Sequence, residues 1–223
     1  MFFPKEYLAS CSSVLLVCAF GASLLADEPK PKPENTISVQ LTEPVPPQKF
    51  AIPPKFWITD ITDRSGNPQP LLVYKDRGGI FLDRQPTLIV REALEQSLKA
   101  ANLLATEANS ADLTLRIYLF HFGLAEGSAL DFFGKVEFTA IVKNAKTGES
   151  QEVKAAGTSI AKSAMKKKNL QKNVEEDIEE SLKDAIRNFL RGQQMKDTVS
   201  ELMKNADVVP ATPAPATPPQ PKQ

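Results

Sequence analysis

Asp60, Asp63 and Arg64 form the densest charged cluster at the end of an apolar, strand-like run. Two carboxylates at that spacing could share a proton or a cation, the arrangement an acid–base enzyme would use. Asp also favours strand ends and turns, because its carboxylate accepts hydrogen bonds from nearby backbone, and that reading needs no catalysis. His121, the single histidine of the chain, would need a carboxylate and a nucleophile to act as a general base, or three further ligands to hold a metal. It follows Leu113, Leu115, Ile117 and Leu119 in an alternating run and reads as the end of that aliphatic sheet face. Lys166, Lys167 and Lys168 could meet an anionic surface, or stand as a solvated loop before an acidic helix. The chain contains no phosphate loop, nucleophile elbow or metal motif, and it is expected to be no enzyme and to need no cofactor.

The segment from Gly123 to Gly134, GLAEGSALDFFG, carries a different chemistry. Phe120, Phe122, Phe132 and Phe133 cluster around it, and simple alternation directs Phe120 and Phe122 away from the aliphatic face. Such rings are either buried by other segments or exposed as an apolar patch of the kind that marks partner or membrane contacts. These four phenylalanines are the candidate contact residues.

Charge and composition narrow the classes. Among 223 residues, 27 basic and 27 acidic side chains cancel, which removes the electrostatic argument for nucleic-acid binding. Residues 1–26 carry one Lys5 and then nineteen uncharged residues from Leu8 to Ala26, followed by Asp27 and Glu28. That pattern is a signal peptide, and cleavage after Ala26 would remove both cysteines, Cys11 and Cys18. Two other readings stay open: an uncleaved anchor, and a lipobox Leu8-Ala9-Ser10-Cys11 in which Cys11 is lipidated. All three place the chain in the exported fraction.

Eight prolines in residues 27–54 predict an extended, disordered spacer, since proline locks φ and removes donors. Residues 206–223, rich in Pro and Ala, predict a disordered tail. Between them the apolar spacing becomes periodic, and residues 55–205 read as one domain. Strands are predicted at Phe56 to Ile61, Leu71 to Tyr74, Asp112 to Phe122, Gly134 to Lys143 and Ser150 to Ala161, with a hairpin turn at Asn144 to Glu149. Helices are predicted at Thr87 to Leu103 and Leu170 to Leu190, with Val174, Ile178, Leu182, Ala185 and Phe189 on the second helix's buried stripe. Gly192 should end that helix, and Thr198 with Glu201 reads as a capping box for a last short one. One mainly antiparallel sheet of about four strands covered by two helices would bury both helical stripes, which makes an α+β two-layer sandwich.

The strand ending in Asp60-Ile61-Thr62-Asp63-Arg64, the helix Ile89 to Leu103 leading into Ala111-Asp112-Leu113-Thr114-Leu115, the Thr147-Gly148 hairpin and the helix Asp177 to Leu190 followed by Asp197-Thr198 resemble the YajG-type family of bacterial envelope lipoproteins. The resemblance implies a domain in the periplasm or on the periplasmic face of the outer membrane, with no catalytic residue to carry over. It implies an accessory or binding role toward an envelope protein whose identity the sequence leaves open. Carboxylate chemistry at Asp60 and Asp63 is the alternative.

Overall fold

Period-two apolar spacing builds the main sheet of this computed structural model, which describes residues 35–66, 71–74, 78–126, 132–159 and 169–205. The strands are β1 (Thr36–Ile37), β2 (Phe56–Asp63), β3 (Leu72–Tyr74), β4 (Gly78–Leu82), β5 (Leu113–Glu126), β6 (Phe132–Asn144) and β7 (Ser150–Thr158). The helices are α1 (Pro86–Ala100), α2 (Leu170–Arg191) and α3 (Gln193–Asn205). Leu113, Leu115, Ile117 and Leu119 of β5 and Val136, Phe138, Ala140 and Val142 of β6 are all buried, as alternation requires when one face meets helices.

The main sheet runs β2-β5-β6-β7, and a smaller one runs β1-β4-β3. Strands β5, β6 and β7 pair antiparallel in sequence order, whereas β2 lies parallel to β5. A parallel neighbour needs a crossover, and α1 supplies it between β2 and β5. The architecture is α+β, with helices on one face of a mainly antiparallel sheet.

Helix α2 approaches the sheet more closely than side chains would permit. Its buried stripe includes the small residues Ser181 and Ala185 as well as Asp177, four positions apart, and these lie over Gly134 and Gly157. A Cβ at Gly134 would fall 2.1 Å from the carbonyl oxygen of Asp177, and one at Gly157 would fall 2.2 Å from both the Ser181 oxygen and the Ala185 nitrogen. Larger side chains fill the flanks, where Phe138 meets Phe189 edge to face with centroids 5.5 Å apart.

Two expectations are corrected. Much of the proline-rich stretch before residue 55 is part of the core: Ile37, Val39, Leu41 and Val45 are buried in the same cluster as the helices. Strand β1 pairs with β4, the Val45 amide donates to Ser97 Oγ at 3.0 Å, and Arg191 Nε donates to the Pro46 carbonyl at 2.8 Å. Glu43 meets Lys183 at 3.5 Å, and Thr42 donates to Glu179 through both its amide and its hydroxyl. Proline stiffens this strap without unfolding it, because an extended chain lying across helices needs few backbone donors. The second correction concerns the end of the chain. Helix α3 starts directly after Gly192, so Thr198 is a buried mid-helix residue and no N-cap. A Cβ on Gly192 would lie 2.4 Å from the Asn188 carbonyl oxygen, so glycine allows the sharp junction.

Gly157→Val is expected to destabilise the domain by about 3 kcal/mol or more, because the new side chain must displace the backbone of α2. Thermal denaturation checks it, and an unchanged melting temperature would show that the close approach is not real. Val39→Asp is expected to unfold the chain outright, since an unpaired buried carboxylate costs several kcal/mol against a total stability of about 5 to 15. A folded, wild-type-like melt would show that the strap is not core.

Candidate functional site

Among the described residues the longest strands outrun their neighbours. β2 accompanies β5 only as far as Leu119, and β7 accompanies β6 only from Lys135 onward. Beyond both, Leu124–Glu126 and Phe132–Gly134 continue as a short two-stranded arm, with Gly134 at its root held under Asp177 of α2. The turn residues 127–131 lie outside the described residues.

A β-bulge short of the arm resets which side chains face out. Leu119 pairs with Phe138 and His121 pairs with Glu137, so Phe120 is the extra residue and the alternation shifts by one. Phe120 is 42% exposed, whereas Phe122 is 1% exposed and belongs to the core. The reading that sent both rings to the same side is thereby corrected, and Phe122 is no surface contact. Phe132 and Phe133, half-buried, pair with Glu126 and Ala125 at the far end. They sit roughly 20 Å along β5 from Phe120, which lies where β7 still pairs with β6, so the rings form no single cluster.

The same bulge removes His121 from the aliphatic face. It is half-buried beside the Lys135–Glu137 ion pair, whose atoms are 2.8 Å apart, and its Nε2 is enclosed without a hydrogen-bond partner. Burial first, and the Lys135 ammonium second, push its pKa below the ordinary value, against smaller opposing effects of a Leu124 backbone hydrogen bond and Glu137.

Asp60 and Asp63 are each engaged locally. Thr62 Oγ1 donates to Asp60 at 2.9 Å, and the Ser65 amide donates to Asp63 at 2.8 Å, the turn chemistry that two-residue spacing allows. Arg64 is drawn away from both, its guanidinium stacking 3.9 Å above the ring of Tyr118. The structure therefore places the three residues at one strand end without joining the carboxylates to a common proton or cation. Among the described residues no group of acidic, histidine or cysteine side chains could hold a metal, and no helix is long and apolar enough to cross a membrane. Cys11 and Lys166 to Lys168 lie outside the described residues.

The free edge of β7 is a feature the sequence reading missed. Gln194 donates to the Glu152 carbonyl at 2.9 Å and accepts from the Lys154 amide at 3.3 Å, while Asn188 donates to the Ala156 carbonyl at 2.7 Å. Side-chain amides thus stand where another strand would pair, which blunts the edge. The one sequence signal is the polarity of Asn188 and Gln194 beside the α2–α3 junction, and nothing in it names their strand partner.

The chain shares its fold with the crystal structure of a Xanthomonas campestris protein of the DUF330 family. That superposition has a TM-score of 0.53 at 11% identity and covers 74% of this chain and 99% of the other. A PelC dodecamer subunit from Paraburkholderia phytofirmans superposes with a TM-score of 0.38 at 12% identity over 65% and 94% of the two chains. A lipoprotein from Neisseria meningitidis gives 0.27 at 14% identity over 55% and 93%. No protein-family model and no curated protein matches the sequence.

The His121 environment has a pH signature. The unfolded chain takes up the proton at the ordinary value of 6.5, while the folded chain holds it off to lower pH. Stability present above pH 6.5 is therefore lost as the pH falls through the folded value. Glu175, raised by burial and then by the charges of Glu179, Asp83 and Glu176, works in the opposite sense, so a variant must isolate the histidine. Denaturation of His121→Gln at a series of pH values is expected to show a smaller loss on acidification than the parent. Equal losses would show that His121 does not feel its surroundings as described.

Proposed function

We propose that this domain is a non-enzymatic accessory module of the bacterial cell envelope, of the YajG type, exported to the periplasm or the periplasmic face of the outer membrane. It contacts an envelope protein through the β5–β6 arm. The observation that carries the reading is the arm itself, a short ribbon that among the described residues outruns both neighbouring strands and bears Phe132 and Phe133 half-exposed, with Phe120 exposed on the sheet behind it. A folding core has no need of such an extension, whereas a binding module does, because a few aromatic anchors dominate interface energetics. The export signal in residues 1–26, with Cys11 as its alternative lipidation point, supports the compartment. The shared fold with a DUF330-family protein supports the architecture of such a module.

In-cell crosslinking followed by identification of the captured protein tests the reading. Phe132→Ser with Phe133→Ser is expected to keep the melting temperature and to weaken capture by about tenfold or more, since aromatic anchors carry 2 kcal/mol or more each, as a rough value. Asp60→Asn with Asp63→Asn is expected to leave capture intact. A folded phenylalanine variant that captures as well as the parent would remove the arm from the interface, and one that unfolds would make the rings structural.

A further inference from the structure

The face of the main sheet turned away from α1 and α2 follows from the same alternation that built the core. With Leu113, Leu115 and Ile117 directed to the helices, Thr114, Arg116 and Tyr118 of β5 must face the other way, beside Ile141 and Lys143 of β6. Together with Thr59 and Ser150 these residues line a groove of about 370 Å³. That volume falls in the range, roughly 300 to 1,000 Å³, of small-molecule sites.

Two cations stand in this groove without a direct ion pair. Arg116 pairs in register with Ile141 and Thr114 with Lys143, which makes Arg116 and Lys143 diagonal neighbours on adjacent strands, about 7 to 8 Å apart at their backbones. Neither cation has an ion-pair partner among the described residues. The nearest carboxylates form no ion pair with them: Asp60, the register partner of Arg116, accepts from the neutral Thr62 hydroxyl and keeps its charge, and Glu152, opposite Ile141, lies 4.0 Å from Lys154. Arg64, stacked on Tyr118, adds a third cation to the same side. Like charges held this close repel, and an anion between them would turn the repulsion into two charge-assisted hydrogen bonds.

The rest of the lining is neither wholly polar nor wholly apolar. Thr59 Oγ1 donates to the Leu115 carbonyl at 2.9 Å and keeps its lone pairs, while Ser150 and the Tyr118 phenol add hydroxyl groups that both donate and accept. Ile141 supplies a hydrocarbon surface between them. A bare inorganic anion would use the cations and leave the hydroxyls and the hydrocarbon idle.

We propose that this groove binds a sugar acid. The carboxylate of the ligand lies between Arg116 and Lys143, its ring rests on Ile141 beside Tyr118, and its hydroxyls meet those of Thr114 and Ser150. The site is independent of the arm, since no residue is shared between them.

Titration of the isotope-labelled full-length chain with glucuronate, followed by backbone amide resonances, tests the site, with glucose and inorganic phosphate as comparison probes. Glucuronate is expected to shift the amides of Thr114 to Tyr118 and Ile141 to Lys143 saturably, glucose to shift none, and phosphate to bind more weakly than glucuronate. Arg116→Gln with Lys143→Gln, both exposed positions, is expected to weaken glucuronate binding by about tenfold or more while the melting temperature holds. The proposal is overturned if glucuronate gives no saturable shift, if the double variant binds it undiminished, or if phosphate binds as tightly as glucuronate.

Discussion

The backbone of α2 rests directly on two glycines, and most of what this domain presents to solvent depends on that contact. Gly134 and Gly157 sit on adjacent strands, and each would drive a Cβ into the helix within 2.2 Å. Helix and sheet therefore meet backbone to backbone along one line, with Phe138 and Phe189 packing beside it. Close packing of this kind tolerates little change in volume, so the helix has one seat. Because Gly134 also stands at the root of the β5–β6 arm, seating the helix anchors the arm. The strap of residues 35–54 is then held to the same helix by Glu179, Lys183 and Arg191.

A sheet covered on one face has two vulnerable features, its open face and its edges. The β7 edge is sealed by Asn188 and Gln194, which supply the donors and the acceptor a further strand would bring. Strand addition at that edge is thus disfavoured. Two other surface regions are the arm beyond the sheet and the polar face opposite the helices. The first offers aromatic rings and the second offers cations among hydroxyls, which suits them to different ligands.

A single inserted residue divides those two regions. Up to Leu119, β5 sends its odd-numbered side chains inward; after the bulge at Phe120 the even-numbered Phe122 is inside. Slipping the register by one residue exchanges the faces of everything that follows. Phe120 is pushed out to solvent, and His121 is left half-buried with its pKa lowered.

The sequence by itself determined the fold class, the two long helices with their buried stripes and the three antiparallel strands. Those features depend on spacing within one segment, and a helix or strand repeats its own period without reference to the rest of the chain. The locally satisfied Asp60 and Asp63 were also legible, because their partners lie two residues away. Only the tertiary structure decided that Ile37, Val39, Leu41 and Val45 belong to the core, since eight prolines in residues 27–54 give the composition of a tether while burial depends on what lies underneath. It alone decided the bulge, which is defined by the partner strand: nothing in the run LFHF records that Phe138 and Glu137 are consecutive opposite Leu119 and His121. It alone brought Arg116 and Lys143 to one groove, because residues twenty-seven positions apart become neighbours only when two strands choose a register.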